Sequence, residues 1–192
     1  MIENPTNSFR LYHISEDPSI KRFEPRPSPS HYESISGDVV FAITDKLLHN
    51  YLLPRDCPRV TFYAKQDTSK QDKEIFLGKN ASGYVVAVEN KWRDLIEQTT
   101  LYCYEFPTDD FVLLDEGAGY YISYKAAVPI AIRPIHDLLD EILKRGVELR
   151  FLPTLFPLAQ EVSQSTLQFS LIRMRNATST NNESNLPHDK EI

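Results

Sequence analysis

The chain has 192 residues, of which 41% are hydrophobic and 25% are charged, and its formal net charge is −6. These fractions are those of an ordinary globular protein and exclude disorder of the whole chain. The acidic balance argues against general nucleic-acid binding, and no run approaches the roughly 18 apolar residues that a membrane-spanning helix needs.

The first part of the chain alternates predicted strands with irregular structure. A strand over residues 9–14 leads into residues 15–38, where the prolines exclude both a helix and a central strand. A buried strand over residues 39–43 is followed by a short helix that includes Tyr51. Pro54 ends this helix.

Most of the remaining strands are predicted from short runs rich in β-branched and aromatic residues. They lie at residues 59–63, 74–77, 83–88, 100–106, 111–114, 119–123, 131–133 and 148–152. Helical spacing of apolar residues predicts a short helix from Asn90 or Lys91 and a clearer one over residues 135–143. The remaining apolar stretch, residues 155–174, is also expected to be helical. Many strands with few short helices predict a mostly antiparallel α+β fold.

Composition also sets the expected domain organisation. Residues 1–177 are predicted to form a single globular domain, and residues 178–192 a disordered polar tail, because the tail has almost no apolar surface to offset its ordering entropy. The N-terminus lacks the features of a signal peptide, and Cys57 and Cys103 are not in a metal-binding spacing. We therefore expect a cytoplasmic protein without a membrane anchor or a bound metal, while the oligomeric state stays open.

His13 is the most informative single position in the sequence. It lies near the end of the first predicted strand, where an imidazole can face a cleft and exchange hydrogen bonds at neutral pH. Ser15 follows on the same side of an extended chain. The alternative is a structural histidine, which is the commoner role of a lone histidine in a strand.

Arg55 and Arg59 lie in a polar corner between the end of the first predicted helix and the strand predicted at residues 59–63. Two guanidinium groups at such a corner can clamp a phosphate through paired hydrogen bonds. The equally weighted alternative is that they pair with carboxylates and fix the loop. Cys57, between them, is expected to be a packed thiol, because no partner base can be inferred.

Three short motifs resemble the ADP-ribosyltransferase superfamily in its histidine-tyrosine-glutamate branch. They read Leu11-Tyr12-His13-Ile14-Ser15, then Val40-Phe41-Ala42 followed by Tyr51, then Gly119-Tyr120-Tyr121-Ile122-Ser123-Tyr124. The resemblance implies an ADP-ribosyltransferase-like fold, in which a split antiparallel sheet binds NAD⁺ in a cleft.

The same resemblance assigns expected roles to individual side chains. It implies that His13 and Ser15 hold a ribose or the nicotinamide amide, and that Tyr51 stacks on the nicotinamide ring. It adds Phe41 and Ser123 as ligand-binding candidates, beside Arg55 and Arg59.

Two positions depart from the family pattern. Val40 stands where the superfamily usually has its first tyrosine. Tyr120 stands at the position of the superfamily's catalytic glutamate, and by that position it is a catalytic candidate together with His13. A phenol does not supply the carboxylate that stabilises oxocarbenium-like charge. The RNA 2′-phosphotransferase branch lacks that glutamate and uses arginines on phosphate, for which Arg55, Arg59 and Arg133 are the candidates.

Longer phrases, including Asn50-Tyr51-Leu52-Leu53-Pro54-Arg55-Asp56-Cys57-Pro58-Arg59, are similar to an uncharacterised bacterial family of unknown function, which implies no activity. Our leading hypothesis is a nucleotide- or NAD-binding, ADP-ribosyltransferase-like protein that transfers ADP-ribose or a related group. The alternative is a non-catalytic ligand-binding or protein-interaction domain that keeps the fold without the glutamate.

Overall fold

The computed structural model describes residues 9–28, 32–78 and 83–178. These residues form ten strands, which in chain order are β1 (Leu11–Ser15), β2 (Val40–Thr44), β3 (Arg59–Tyr63), β4 (Tyr84–Glu89), β5 (Leu101–Phe106), β6 (Val112–Asp115), β7 (Tyr120–Ser123), β8 (Ala131–Ile135), β9 (Val147–Leu152) and β10 (Gln168–Ile172). Of the predicted polar tail only Thr178 is described, and residues 179–192 lie outside the described residues.

The strands form two sheets. The first sheet has six strands in the order β6-β7-β2-β1-β5-β8, and the second has four in the order β10-β3-β4-β9. Neighbouring strands are antiparallel except for β4 and β9, which are parallel. The prediction of a mostly antiparallel α+β fold is therefore confirmed.

The helices are short. They are a 3₁₀ helix (Asp45–Tyr51), α1 (Lys70–Asp72) continued by a π-helix (Lys73–Leu77), a 3₁₀ turn (Asn90–Trp92) continued by α2 (Arg93–Gln98), α3 (Leu138–Lys144), α4 (Phe156–Ser163) and a 3₁₀ turn (Met174–Asn176).

Two predicted elements are wrong. Residues 74–77 form the π-helix instead of a strand, and they bury the adjacent side chains Phe76 and Leu77 instead of alternating ones. The helix predicted within residues 155–174 ends at Ser163, and residues 168–172 form β10. Ser165 prevents the helix from continuing. Its hydroxyl donates a hydrogen bond to the Val162 carbonyl and accepts one from the Leu167 amide, and both bonds compete with backbone hydrogen bonds of a helix.

The main core lies between the two sheets. Tyr12, Ile43 and Tyr120 from the first sheet pack there with Val86 and Val88 from the second, and we call this side of the first sheet its inner face. The outer face carries Leu11, Val40, Ala42 and Tyr104, which pack against Phe23. Because side chains alternate along a strand, His13 and Ser15 belong to the same outer face as Leu11.

The proline-rich stretch is fixed along the first sheet at several points. Phe23 exchanges two backbone hydrogen bonds with Ala127, of 2.8 and 2.9 Å. Arg26 exchanges two with Val39, at the start of β2, of 3.0 and 2.9 Å. These contacts bring Arg26 to the end of β2 that lies nearest to His13.

The first sheet is split between β1 and β2. These strands pair only at Leu11↔Thr44 and Tyr12↔Ile43, whereas β1 pairs with β5 along its whole length. Beyond Tyr12 the two strands no longer form a ladder, which leaves a gap whose walls carry His13 and the backbone of Phe41.

Candidate functional site

His13 spans the gap between β1 and β2 with its side chain. Its Nδ1 lies 3.1 Å from the carbonyl oxygen of Phe41, and its ring centroid lies 4.8 Å from that of Phe23. Because a carbonyl oxygen only accepts, Nδ1 is the protonated nitrogen, and Nε2 is left for a second partner. The half-buried imidazole therefore replaces the missing ladder and offers one nitrogen to a ligand.

The charges of two guanidinium groups act on His13. Burial is the main cause that lowers the pKa of His13, the hydrogen bond to Phe41 opposes it, and the positive charges of Arg55 and Arg26 lower it further. In the part of the chain that the structure describes, neither guanidinium makes an ion pair with a carboxylate. Two positive charges, those of Arg55 and Arg26, therefore act on the imidazole at the gap.

Tyr51 and Tyr120 meet on the inner face. Their hydroxyl groups share a hydrogen bond of 2.6 Å, and the Ser170 hydroxyl of β10 lies beside the Tyr120 phenol. Burial raises the pKa of both phenols, that of Tyr51 well above its usual value. Tyr120 is only 1% exposed. Tyr120 is therefore a buried link between elements.

Arg59 is buried beneath this pair. Its Nε and Nη1 donate to the carbonyl oxygens of Asn50 (3.0 Å), Cys57 (2.9 Å) and Pro54 (3.3 Å), and its guanidinium lies 5.5 Å from the centre of the Tyr51 ring. Arg59 therefore fixes the corner through carbonyl groups and occupies one face of Tyr51. Burial raises the pKa of Cys57 to about 12, so this thiol stays protonated at neutral pH.

The corner that carries Arg55 is also held from outside. The Arg55 amide donates to Glu16 at the end of β1 over 2.8 Å. The Arg55 carbonyl accepts from Nε of Arg173 over 3.3 Å, and the Asp56 carbonyl accepts from the side-chain amide of Asn176 over 2.8 Å. Two segments, the end of β1 and the turn after β10, thus fix the backbone that presents the Arg55 guanidinium.

The remaining predicted residues lie apart from this cluster. The Ser15 hydroxyl accepts the Asp17 amide in a local turn, and the Ser123 hydroxyl exchanges hydrogen bonds with the backbone of Lys125. Phe41 contributes its carbonyl, while its ring packs on the inner face near Tyr32. Arg133 lies on β8, opposite Cys103.

Arg26, Arg173 and Asn176 complete the site and were missed by the predicted set of site residues. No local pattern marks Arg26, since only its bridge to Val39 brings it to the gap. Arg173 and Asn176 are close to the corner because β10 pairs with β3, which sets Ile172 opposite Arg59.

A separate cavity of about 650 Å³ lies at the other ends of β1 and β2, near Thr44. Arg10, Lys46, Tyr63 and Glu116 contribute to its lining, and none of the predicted site residues does. Among the described residues no three His, Cys, Asp or Glu side chains are grouped as metal ligands would be. Within the same ranges, no helix has the length and apolar character to cross a membrane.

The fold defines a two-sheet α+β protein whose first sheet is split between β1 and β2. A family model described as a family of unknown function (DUF6886) matches residues 12–177, and the chain belongs to this family. No curated protein and no solved structure gives a significant match.

Proposed function

We propose that this protein binds a nucleotide through its phosphate groups at the gap between β1 and β2. NAD⁺ and ADP-ribose are the candidate ligands, in keeping with the motif resemblance. The proposal is supported by the arrangement of three segments at one end of the gap. His13 on β1 bonds the Phe41 carbonyl, and Arg26 pairs with Val39 directly before β2. The Arg55 amide bonds Glu16 directly after β1, and neither guanidinium is paired with a carboxylate in the described chain.

A phosphate suits these groups chemically. Guanidinium groups bind phosphate oxygens through paired, charge-assisted hydrogen bonds, and such bonds are about twice as strong as neutral ones. His13 adds a donor from Nε2 whenever its imidazole is protonated. An anion at this place also relieves the repulsion among the three groups, which is the repulsion that contributes to the low pKa of His13.

Binding without transfer is the version of this function that the geometry favours. Transfer of ADP-ribose needs a group that stabilises positive charge on the sugar, and Tyr120 is neutral, buried and bonded to Tyr51. The ADP-ribosyltransferase activity itself stays a prediction. Release of nicotinamide from NAD⁺, measured by chromatography over hours, would establish cleavage of the glycosidic bond and exclude the non-catalytic alternative, and the appearance of ADP-ribose on an acceptor other than water would distinguish transfer from hydrolysis.

Titration calorimetry with ADP-ribose tests the binding proposal. We expect saturable binding to the wild type, and affinities about tenfold or more weaker in Arg55→Gln and Arg26→Gln, because each variant removes a charged hydrogen-bonding group. Arg93→Gln is the matched control, since this exposed arginine lies on α2 and pairs with Glu97. Absence of binding at millimolar ADP-ribose, or equal affinities in all four proteins, would refute the proposal.

A further inference from the structure

We propose that the turn Arg173–Asn176, directly after β10, is a positioning element that holds the Arg55 guanidinium beside His13. Its role in ligand binding rests on the proposed function, whereas its effect on the position of Arg55 does not. Arg173 and Asn176 are positioning residues in this proposal, because they act on a ligand through Arg55.

Two side chains of the turn contact the same corner. Asn176 donates to the carbonyl of Asp56 over 2.8 Å, and Arg173 donates from Nε to the carbonyl of Arg55 over 3.3 Å. Both acceptors belong to the two residues that form the tip of the corner. The turn therefore holds the backbone from which the Arg55 side chain projects.

The backbone of Arg173 is in the left-handed conformation, which is unfavourable for a residue with a side chain. Its φ is 54° and its ψ is 30°, and among the described residues it is the one non-glycine residue with positive φ. A left-handed conformation costs free energy for a residue with a Cβ atom, and such strain persists where the surroundings hold it in place. A glycine would adopt this conformation without strain, but it would lose the Nε that reaches Arg55.

The opposite side of the corner is tied to the strand that carries His13. Glu16 follows β1 and accepts the Arg55 amide over 2.8 Å. Arg55 is thus held between the end of β1 and the turn after β10. β1 belongs to the first sheet and β10 to the second. Releasing the turn frees one of these two sides and lets the guanidinium move away from the imidazole.

The ionisation of His13 reports the position of Arg55 in the protein without ligand. Histidine ring signals are followed by NMR between pH 4 and 9, and the His13 signal is assigned by its loss in His13→Gln. The reference variant is Arg55→Gln, which removes the positive charge and should raise the pKa of His13. Arg26 keeps its charge in every variant.

The turn variants are Asn176→Ala and Arg173→Gly, and both should raise the pKa of His13 in the direction of Arg55→Gln. Glycine suits the left-handed conformation, so Arg173→Gly removes the side chain without adding backbone strain. Thr154→Ala is the matched control, because its hydroxyl donates to the backbone of Thr178 over 3.1 Å and does not contact the corner. This control should leave His13 unchanged.

The outcomes separate the two proposals. The positioning role is overturned if Arg55→Gln raises the pKa of His13 while both turn variants match the wild type, or if Arg55→Gln itself has no effect. In the ligand arm, we expect Asn176→Ala to bind ADP-ribose about threefold to tenfold more weakly, which is the effect of one hydrogen bond. If the wild type binds no ADP-ribose, the proposed function fails, and the NMR result still decides the role of the turn.

Discussion

His13 combines a fixed tautomer with a lowered pKa. The Phe41 carbonyl fixes the proton on Nδ1, and burial, followed by the charges of Arg55 and Arg26, favours the neutral ring. A bound phosphate would cancel part of the arginine charge and attract a proton to Nε2. We therefore expect the pKa of His13 to be higher in the complex than in the free protein.

Binding of ADP-ribose should consequently be coupled to proton uptake. Since the complex holds more protons than the free protein between the two pKa values of His13, affinity should rise as pH falls through that interval. Calorimetry in buffers of different ionisation enthalpy measures the uptake directly, and His13→Gln should abolish it. Equal uptake in the variant, or release of protons by the wild type, would contradict the assignment of His13 to the ligand site.

The 3₁₀ helix (Asp45–Tyr51) is the element that joins the gap to the core. It buries Leu47, Leu48 and His49, and it ends at Tyr51. The His49 ring is 2% exposed and lies 5.1 Å from that of Tyr84. Burial, and then the charge of Arg145, lowers the pKa of His49 to about 4.

This helix should therefore make the protein sensitive to acid. Between the ordinary histidine pKa of about 6.5 and the native value, the unfolded chain binds a proton that native His49 does not bind. Stability is thus complete above that interval and falls as pH drops, by about 2 kcal/mol between pH 7 and pH 5. Urea unfolding at both pH values measures the loss, and His49→Gln should remove most of it. An unchanged pH dependence in His49→Gln would assign the acid sensitivity elsewhere.

Elements with a strong local pattern could be predicted from sequence, and elements defined by distant pairing could not. The apolar stretches that form β2 and β3 specify strands locally. β10 is a strand because its residues complete the edge of the second sheet beside β3, and the apolar pattern of this segment is equally compatible with a helix.

The residues of the site also differ in whether a local pattern or a distant pairing places them. The sequence marks His13 through a short motif and Arg55 through the polar corner that it shares with Arg59. Arg26 depends on its bridge to Val39, and Asn176 on the pairing of β10 with β3. Neither contact leaves a signal within a few residues in the sequence.

At the scale of the whole molecule, polar contacts supplement the apolar core between the two sheets. Tyr63 of β3 donates over 2.7 Å to the carbonyl of Gly117, which lies between β6 and β7 of the first sheet. Tyr120 of the first sheet bonds Tyr51 and lies beside Ser170 of the second. Because these contacts and the core join the two sheets, we expect both sheets to unfold in a single transition.

The bond between Tyr51 and Tyr120 provides a test of that cooperativity. Tyr120→Phe should destabilise the protein by about 1–2 kcal/mol, because it leaves the buried Tyr51 hydroxyl without its partner. Tyr51→Phe should cost less, because the Tyr120 hydroxyl keeps Ser170 beside it. The double variant should cost less than the sum of the two, by about 1 kcal/mol, since both ends of the shared hydrogen bond are then removed together. Urea unfolding followed by Trp92 fluorescence and by far-ultraviolet circular dichroism should give coincident transitions in all four proteins.

Two results would contradict this account of Tyr120 as a link within the fold. Separate transitions for the two probes would show that the sheets unfold independently. Loss of ADP-ribose binding in Tyr120→Phe, with stability close to that of the wild type, would place the phenol in the ligand site. If Tyr120→Phe instead loses stability and keeps its affinity, the gap between β1 and β2 binds its ligand without help from the Tyr120 phenol.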